Sequence, residues 1–493
     1  MISTSWHSTD YELYKLFAVI LFIVSSLIIS NYTNKKGLIS PETNRRFVHV
    51  CIGLIMSFST VIFSSNFFPS FLAITFILIN IITFKSKLFS GIHSQKRKSY
   101  GTIYYPLSYF IIIYFFWENS NFVILSLLIL TISDPIAAQI GNRKDPLRRF
   151  KIWHDYKTVD GTIAFFTSSF LILMIGNIFI LGYQLMDLIG FVLITTIFAT
   201  IAEITSKKGT DNLSIPIISI LIMIGLNDQL EIQQGIIDKL NIVLYLIAIP
   251  LILFIPFKLR VLSVSGYFGS ITMGTLIVLF GNLIQFLLLA LFFVLSALLN
   301  LILKGYLKKK SKSSNRNISQ VICNGGIALF LCIYEYFNPN PISMYLYAAS
   351  IAAAMSDTWA TEFGKLSKSK PISITSFRPI DHGLSGGITF IGTIGSIIGS
   401  CIVGFATWLL IESEIILIFG IIITGFFSAM LDSLIGDKLQ GKYETKTGKI
   451  IENYKSDTNL ISGYKIIDNN FVNLIATISG PFLMYFFIYC MNQ

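Results

Sequence analysis

Long apolar runs recur from one end of this chain to the other, each about as long as a bilayer core is thick. About twenty apolar residues in helical form cross the roughly 30 Å of hydrocarbon in a membrane. Backbone N–H and C=O groups in that medium must be satisfied within the segment, so such runs fold as helices. Sixteen of them stand near residues 14–30, 47–64, 66–84, 103–118, 121–140, 161–183, 186–204, 213–226, 241–257, 264–281, 283–303, 318–337, 342–362, 386–411, 414–432 and 471–490. The runs at 213–226 and 241–257 are short or hold Pro216, Pro250 and Pro256, which also fits a re-entrant segment. Only 13% of the 493 residues are charged, against about 25% in soluble domains, which leaves no room for a large soluble domain. The expectation is an all-α, polytopic integral membrane protein with about sixteen transmembrane helices in two related bundles.

The charges test that partition. If each run crosses once, one set of connections holds 31–46, 85–102, 141–160, 205–212, 258–263, 304–317, 363–385 and 433–470. Of 37 Lys and Arg residues, only Lys15 and Lys239 fall outside this set. The positive-inside rule then makes these loops cytoplasmic and puts both termini on the opposite side. The net charge of +11 is spread over these loops in short clusters. That argues against a nucleic-acid patch and for anionic lipid headgroups and anionic substrates as partners. Asp10 and Glu12 stand where a cleaved signal would be basic, so the first run reads as a retained helix. The five cysteines sit in apolar stretches with no metal spacing, and no two histidines stand four apart as a zinc site would need.

The chain also reads as duplicated, with modules at 1–257 and 258–493. SDPIAAQIG at 133–141 and SDTWATEFG at 356–364 each end an apolar run and open a polar loop. Each loop then reaches a glycine taken to open the next helix, Gly161 in the first and Gly386-Gly387 in the second. One span further on come Glu203 with Asp211-Asn212, then Asp432 with Asp468-Asn469. Internal repeats are common in membrane proteins and do not by themselves imply catalysis.

Several of these loop residues carry chemistry. A carboxylate at a membrane helix end is expensive and usually functional, and both modules place one at the same depth, Asp134 and Asp357. In the basic loop, Arg143, Lys144, Arg148, Arg149 and Lys151 lead to Lys157-Thr158-Val159-Asp160-Gly161. A lysine followed by a helix start suits a phosphate, through charge and free N–H groups, although no Walker A loop is present. With Asp134 the pattern suggests a nucleotide phosphate chain bridged by Mg²⁺, which uses one or two carboxylates plus phosphate oxygens. Glu203 reads as a second metal ligand or a base, or as a helix-end acid paired with Lys207 or Lys208. Glu42, Arg45, Arg46 and His49 share one helical face; the arginine pair could hold a phosphate or simply flank a membrane helix. In the second half the corresponding set is Arg316, Gln320, Asn324, Asp357, Glu362, Thr375, Gly386, Gly387, Asp432, Asp437 and Asp468. Carboxylates at helix ends on one face point to metal–phosphate coordination; a transporter more readily places such groups at mid-membrane.

In the first half, E-x-x-R-R-x-x-H (Glu42 to His49), Y-G-T-x-Y-Y-P (Tyr100 to Pro106), SDPIAAQIG, K-T-x-D-G-T and A-E-x-x-S-x-x-G-x-D-N-L-x-I-P (Ala202 to Pro216) carry a resemblance. That half resembles the phytol kinase and dolichol kinase family of CTP-dependent polyprenol kinases, and its S-D and K-T patterns are also similar to membrane CDP-diacylglycerol synthases. In the second half, Q-V-x-x-N-G-G, S-D-T-W-A-T-E-x-G, G-L-S-G-G-I-T-x-x-G-T, L-D-S-L-I-G-x-x-L-Q-G and D-N-N-x-V-N resemble the phytyl-phosphate kinase family, long catalogued as a domain of unknown function. Asp160 stands where the first family more often has glutamate, and Asn470 where the second often has aspartate. The resemblance implies a two-step kinase that converts an isoprenoid alcohol to its monophosphate and then its diphosphate, with Mg²⁺ and CTP. It implies catalytic roles for Asp134, Lys157, Glu203, Asp357 and Asp432, and metal ligation by Asp134, Asp211, Asp357, Asp432 and Asp468. Phosphate binding would fall to Arg143, Thr158, Gly161, Arg45, Arg46, Arg316, Lys365, Gly386 and Gly387. A cytidylyltransferase making a CDP-lipid, or a transporter of an anionic lipid or metabolite, is the alternative.

Overall fold

The computed structural model describes residues 3–86, 100–142, 148–153, 155–183, 185–232, 236–307, 315–452, 454 and 457–493. The chain divides into two compact units, Met1–Lys239 and Leu240–Gln493. Each of the sixteen apolar runs contains helix. Among the described residues, nine helices are long and apolar enough to cross a membrane by length and composition, and five more are apolar but shorter. The chain is therefore a multi-pass helical membrane protein, with fewer full-length spans among the described residues than the sixteen expected.

Unit 1 contains α1 (Ser3–Lys35), α2 (Pro41–Ser57), α3 (Ser59–Ile62), α4 (Phe67–Ser86), α5 (Gly101–Phe115), α6 (Ser120–Leu128), α7 (Asp134–Gly141), α8 (Val159–Gly176), α9 (Leu185–Ile204) and α10 (Asp211–Ile232). A π-helical segment, Ile129–Ser133, joins α6 and α7 into one span, Ser120–Gly141. Pro135 explains the widened turn. It has no N–H to return to the preceding turn, and a π-bulge absorbs the mismatch, as such bulges often do at functional sites. In π register the carbonyl left without its donor is that of Leu130, and His49 Nε2 lies 3.4 Å from this oxygen. This span is the core of the unit: Leu125, Ile129 and Leu130 are fully buried, with α2 and α10 packed on α6 and α8 on α7.

Unit 2 comprises nearly all of α11 (Ile236–Lys258), then α12 (Val264–Phe280), α13 (Leu283–Leu307), α14 (Ile318–Phe337), α15 (Ser343–Gly364), α16 (Phe390–Ile411), α17 (Ile415–Lys438) and α18 (Asn469–Met491). Its central element is α15, which packs against α13, α14, α16, α17 and α18. Tyr347 through Ser356 are buried in an unbroken row, mostly alanine and serine. Small side chains let membrane helices approach closely, where dispersion and backbone contacts hold them. A Cβ added at Gly480 of α18 would stand 2.6 Å from the Ala349 carbonyl oxygen, and one at Gly425 of α17 would stand 2.8 Å from Ala352 Cβ.

Three small antiparallel sheets sit in the charged connections, where the all-α expectation had none. β1 (Arg149–Lys151) pairs β2 (Tyr156–Thr158), β3 (Ile372–Ser373) pairs β4 (Gly387–Ile388), and β5 (Lys442–Glu444) lies between β6 (Ile450–Ile451) and β7 (Asn459–Ser462). Helix ends also differ from the sequence expectation. Asp134 and Asp357 lie two turns before the ends of their helices, at Gly141 and Gly364. Asp432 lies inside α17, which runs on to Lys438.

Candidate functional site

One local device closes the loop end of the central helix pair in both units. In unit 1, Thr158 caps α8, its Oγ1 accepting from the Gly161 N–H at 3.2 Å. A Cβ at Gly161 would stand 3.1 Å from the Ala137 carbonyl oxygen and 3.4 Å from Gly141 Cα. In unit 2, Thr389 caps α16 and accepts from the Gly392 N–H at 3.0 Å. A Cβ at Gly392 would stand 3.0 Å from the Ala360 carbonyl oxygen and 3.5 Å from Gly364 Cα. The S-D-x-x-A-x-x-x-G segments therefore use Ala and Gly to seat a Thr-x-x-Gly helix start. The two segments share this local geometry, with a register other than the one expected from sequence: the glycine placed like Gly161 is Gly392, not Gly386 or Gly387. Gly386 has φ +83°, and a Cβ there would lie 2.3 Å from Asp437 Cβ. Gly387 pairs with Ser373 in the β3–β4 hairpin.

In unit 1 the charged groups converge beneath this seal. Asp134 feels the charges of Asp211, Lys157, Glu203 and Arg45. Lys157 reaches across 46 residues to form an ion pair with Glu203 Oε1, and its Nζ lies 3.4 Å from Ser206 Oγ. Burial alone would depress the Lys157 ammonium; Glu203, Asp211 and Asp134 outweigh it and raise its pKa above the ordinary 10.5. Glu203 thus pairs with neither Lys207 nor Lys208. Lys207 Nζ sits 3.5 Å from the centre of the Trp153 ring, and the Lys208 N–H donates to Asp155 at 3.1 Å. These contacts fasten the loop after α9 to the β1–β2 hairpin that carries Lys157.

The arginine pair divides its labour. Arg46 donates to Glu42 at 2.7 Å and to the Ala138 carbonyl at 3.3 Å, and Asn142 donates to the same Glu42 oxygen at 2.9 Å. It is a clamp between α2 and α7. Arg45 is exposed and is the arginine whose charge reaches Asp134. Arg143 lies outside the described residues.

In unit 2, Asp432 feels the charges of Asp357 and Glu452. Glu452 was not legible in sequence, because it lies in a loop outside the repeated motifs. Its Oε2 accepts from Ser385 Oγ at 2.9 Å and from Gln440 Nε2 at 3.0 Å. Asp437 accepts from Thr375 Oγ1 at 2.6 Å and from Lys442 Nζ at 2.9 Å, so it locks the 373–387 hairpin to the end of α17. Lys365 pairs with Glu362 at 2.6 Å. Asp468 is exposed and caps α18, accepting from the Phe471 N–H at 3.0 Å. It is not brought to the Asp357–Asp432 pair in the way Asp211 is brought to Asp134.

The donor set bears on a metal ion. Among the described residues no three His, Cys, Asp or Glu side chains form a ready metal cage. Glu203 Oε2 and Asp432 Oδ2 are nevertheless buried without a hydrogen-bond partner. Asp134 and Asp357 each face a second acid with no hydrogen bond of their own among the described residues. Buried like charges with spare oxygens are costly unless a cation lies between them. Paired carboxylates without a cage fit Mg²⁺, which keeps several waters and shares phosphate oxygens.

Comparison with known proteins gives a consistent picture. Residues 247–481 match the family model described as Integral membrane protein DUF92. An uncharacterised membrane protein of Methanocaldococcus jannaschii is 33% identical over 236 residues, 47% of this chain and 88% of that protein. Protein PGR of Arabidopsis thaliana is 26% identical over 278 residues, 50% of this chain and 95% of that protein. Phytol kinase of Synechocystis is 22% identical over 209 residues, 41% of this chain and 86% of that protein. No solved structure matches significantly.

Proposed function

From the premise that the chain belongs to the DUF92 family of integral membrane proteins, we propose that it is a fused two-step kinase for an isoprenoid alcohol. Unit 1 makes the monophosphate and unit 2 the diphosphate, each with CTP as phosphate donor, at the face of the membrane that holds the basic loops. The carrying observation is that both central helices present an aspartate with no hydrogen bond among the described residues, Asp134 and Asp357, two turns beneath the same Thr–Gly seal, in a chain similar to a phytol kinase.

Phosphoryl transfer asks the protein mainly for positioning and charge neutralisation. Asp134 with Asp211, and Asp357 with Asp432, would hold Mg²⁺, which when bound offsets charge on the phosphate oxygens. Lys157 fixes one oxygen of Glu203 and leaves Oε2 as the atom to receive the proton of the substrate hydroxyl. Arg45 supplies a mobile cation for the phosphate chain. In unit 2 no hydroxyl proton has to leave, because the acceptor is already a phosphate; the acids there need only hold and orient. The net reaction in each unit transfers one phosphoryl group to oxygen and releases CDP.

The test is purified protein with Mg²⁺, labelled CTP and a panel of phytol, geranylgeraniol, farnesol and phosphatidate, with lipid products resolved by mass. Prenyl mono- and diphosphate with CDP release are expected. A CDP-lipid with pyrophosphate release would establish a cytidylyltransferase instead, and nucleotide-independent counterflow in proteoliposomes would establish a transporter. Asp357→Asn should leave monophosphate accumulating; undiminished diphosphate from that variant would remove Asp357 from the reaction.

A further inference from the structure

The connection between α17 and α18 carries apolar side chains that the unit leaves uncovered. Tyr464 is 62% exposed and Ile466 88%, in the turn that follows β7. Leu439, which caps α17, and Phe471, in the first turn of α18, are exposed as well.

This turn is pinned to both helix ends. The Tyr464 N–H donates to the Leu439 carbonyl at 2.9 Å, and the Gly441 N–H donates to the Ile467 carbonyl at 3.0 Å. The Ile467 N–H donates to the Tyr464 carbonyl at 3.0 Å, which closes the turn. Gly463 has φ +71°, and a Cβ there would run into the Gln440 carbonyl oxygen, so this close approach needs glycine. The backbone groups of Tyr464 and Ile467 are thus satisfied within the protein, which suits a layer poor in water.

Helix length fixes the level at which the turn stands. α17 has 24 residues and α18 has 23, about 35–36 Å at 1.5 Å per residue. Subtracting about 30 Å of hydrocarbon leaves about 5–6 Å. A headgroup layer is about 5–7 Å thick on each side, so both helix ends lie within it even if the whole excess falls on this side. Tilt only draws them further in. A turn bonded to residues 439 and 441 shares that level, and side chains exposed there meet lipid instead of bulk water.

The chemistry of the turn fits the same layer. Tyrosine favours the membrane interface, with its ring in apolar surroundings and its hydroxyl wet. Lys465 stands between the two apolar residues in sequence, and its Nζ lies 4.3 Å from the centre of the Tyr454 ring, an apolar stem with a charged head. Net charge does not carry the contact, because residues 442–468 hold five lysines against four acids.

We propose that the 463–467 turn is an interfacial anchor: Tyr464 and Ile466 insert among the lipid headgroups and the upper part of the chains, by apolar contact and not by charge. The surface continues the lipid-facing sides of α17 and α18, and it stands whether or not unit 2 transfers phosphate. It also bears on the paired carboxylates. Gly463 packs on Gln440, Gln440 Nε2 donates to Glu452, and the charge of Glu452 reaches Asp432. The anchor therefore ties to the bilayer the loop that brings Glu452 to the site.

Lipid and water quenching test the anchor on the full-length protein in nanodiscs of phosphatidylcholine. A genetically encoded fluorescent amino acid replaces Ile466 in one variant and Tyr464 in another, so a single poorly folding variant does not decide the outcome. At both positions emission should fall with lipid brominated just below the headgroup, and change little with lipid brominated at the chain ends or with iodide in the water. Replacing part of the lipid by phosphatidylserine should leave the pattern unaltered. Iodide quenching without lipid quenching would place the turn in water and overturn the proposal. Protection from every quencher, with energy transfer between the probes of two copies, would replace the bilayer by a second copy of the chain. Lipid quenching that appears only with phosphatidylserine would refute the apolar contact in favour of charge.

Discussion

Replacing Lys157 by methionine separates the structural from the chemical role of the Lys157–Glu203 pair. The two side chains are 19% and 8% exposed, and Glu203 Oε2 already lacks a hydrogen-bond partner among the described residues. Methionine keeps the bulk of the lysine stem but leaves the carboxylate without its counter-charge. Breaking a buried ion pair by removing one member costs about 3–5 kcal/mol. Because a fifth of the lysine side chain reaches solvent, the low end applies, about 3 kcal/mol. For a unit of this size 1 kcal/mol moves the melting midpoint by about 2–4 °C, so Lys157→Met should melt about 6–12 °C below the parent. Adding Glu203→Gln removes the stranded charge and should recover all but about 1 kcal/mol. The assay is fluorescence-detected unfolding in detergent at one fixed scan rate, because such midpoints are kinetic when unfolding is irreversible. Alcohol phosphorylation should be absent from both variants, while conversion of supplied monophosphate to diphosphate continues. A single variant as stable as the parent, or a double variant no more stable than the single, would refute the pairing argument. A double variant that phosphorylates alcohol would remove Lys157 from the chemistry.

Three further outcomes follow from the geometry. The folded-state pKa of Lys157 lies above its ordinary value, so the stabilisation it brings is complete below about 10.5 and lost as pH rises through the higher folded value; a melting-midpoint series should show Lys157→Met with a flatter alkaline limb than the parent. Gly161→Ala and Gly392→Ala should each destabilise by about 1–3 kcal/mol, because each Cβ meets a backbone carbonyl oxygen at about 3 Å; limited proteolysis should find the loss confined to the unit that carries the substitution. Gly386→Ala combines a left-handed φ with a clash against Asp437, so diphosphate formation should fall while monophosphate formation holds, and equal loss of both would show that Gly386 does not act through unit 2.

The sequence by itself determined what depends on local composition. Apolar runs of membrane length made helices because an unpaired peptide group has no partner in hydrocarbon. The S-D pairs were legible because a carboxylate on such a helix is expensive wherever it is found. The Asn317–Gln320 capping box lies within four residues, so neighbours in sequence suffice to form it. Only the tertiary structure decided which charge answers which. Lys157 finds Glu203 across 46 residues, and Asp432 meets Glu452 from an unrelated loop. Pairing at such separation is set by which helices pack, and small residues such as those of α15 allow many packings until the whole unit closes. The glycine register failed for the same reason. Gly386 and Gly387 look like a helix start, but the hairpin closes on Asp437 first, and the helix begins only after Thr389 can cap it. In both units, what the sequence could not contain is the meeting of two distant backbones at a glycine.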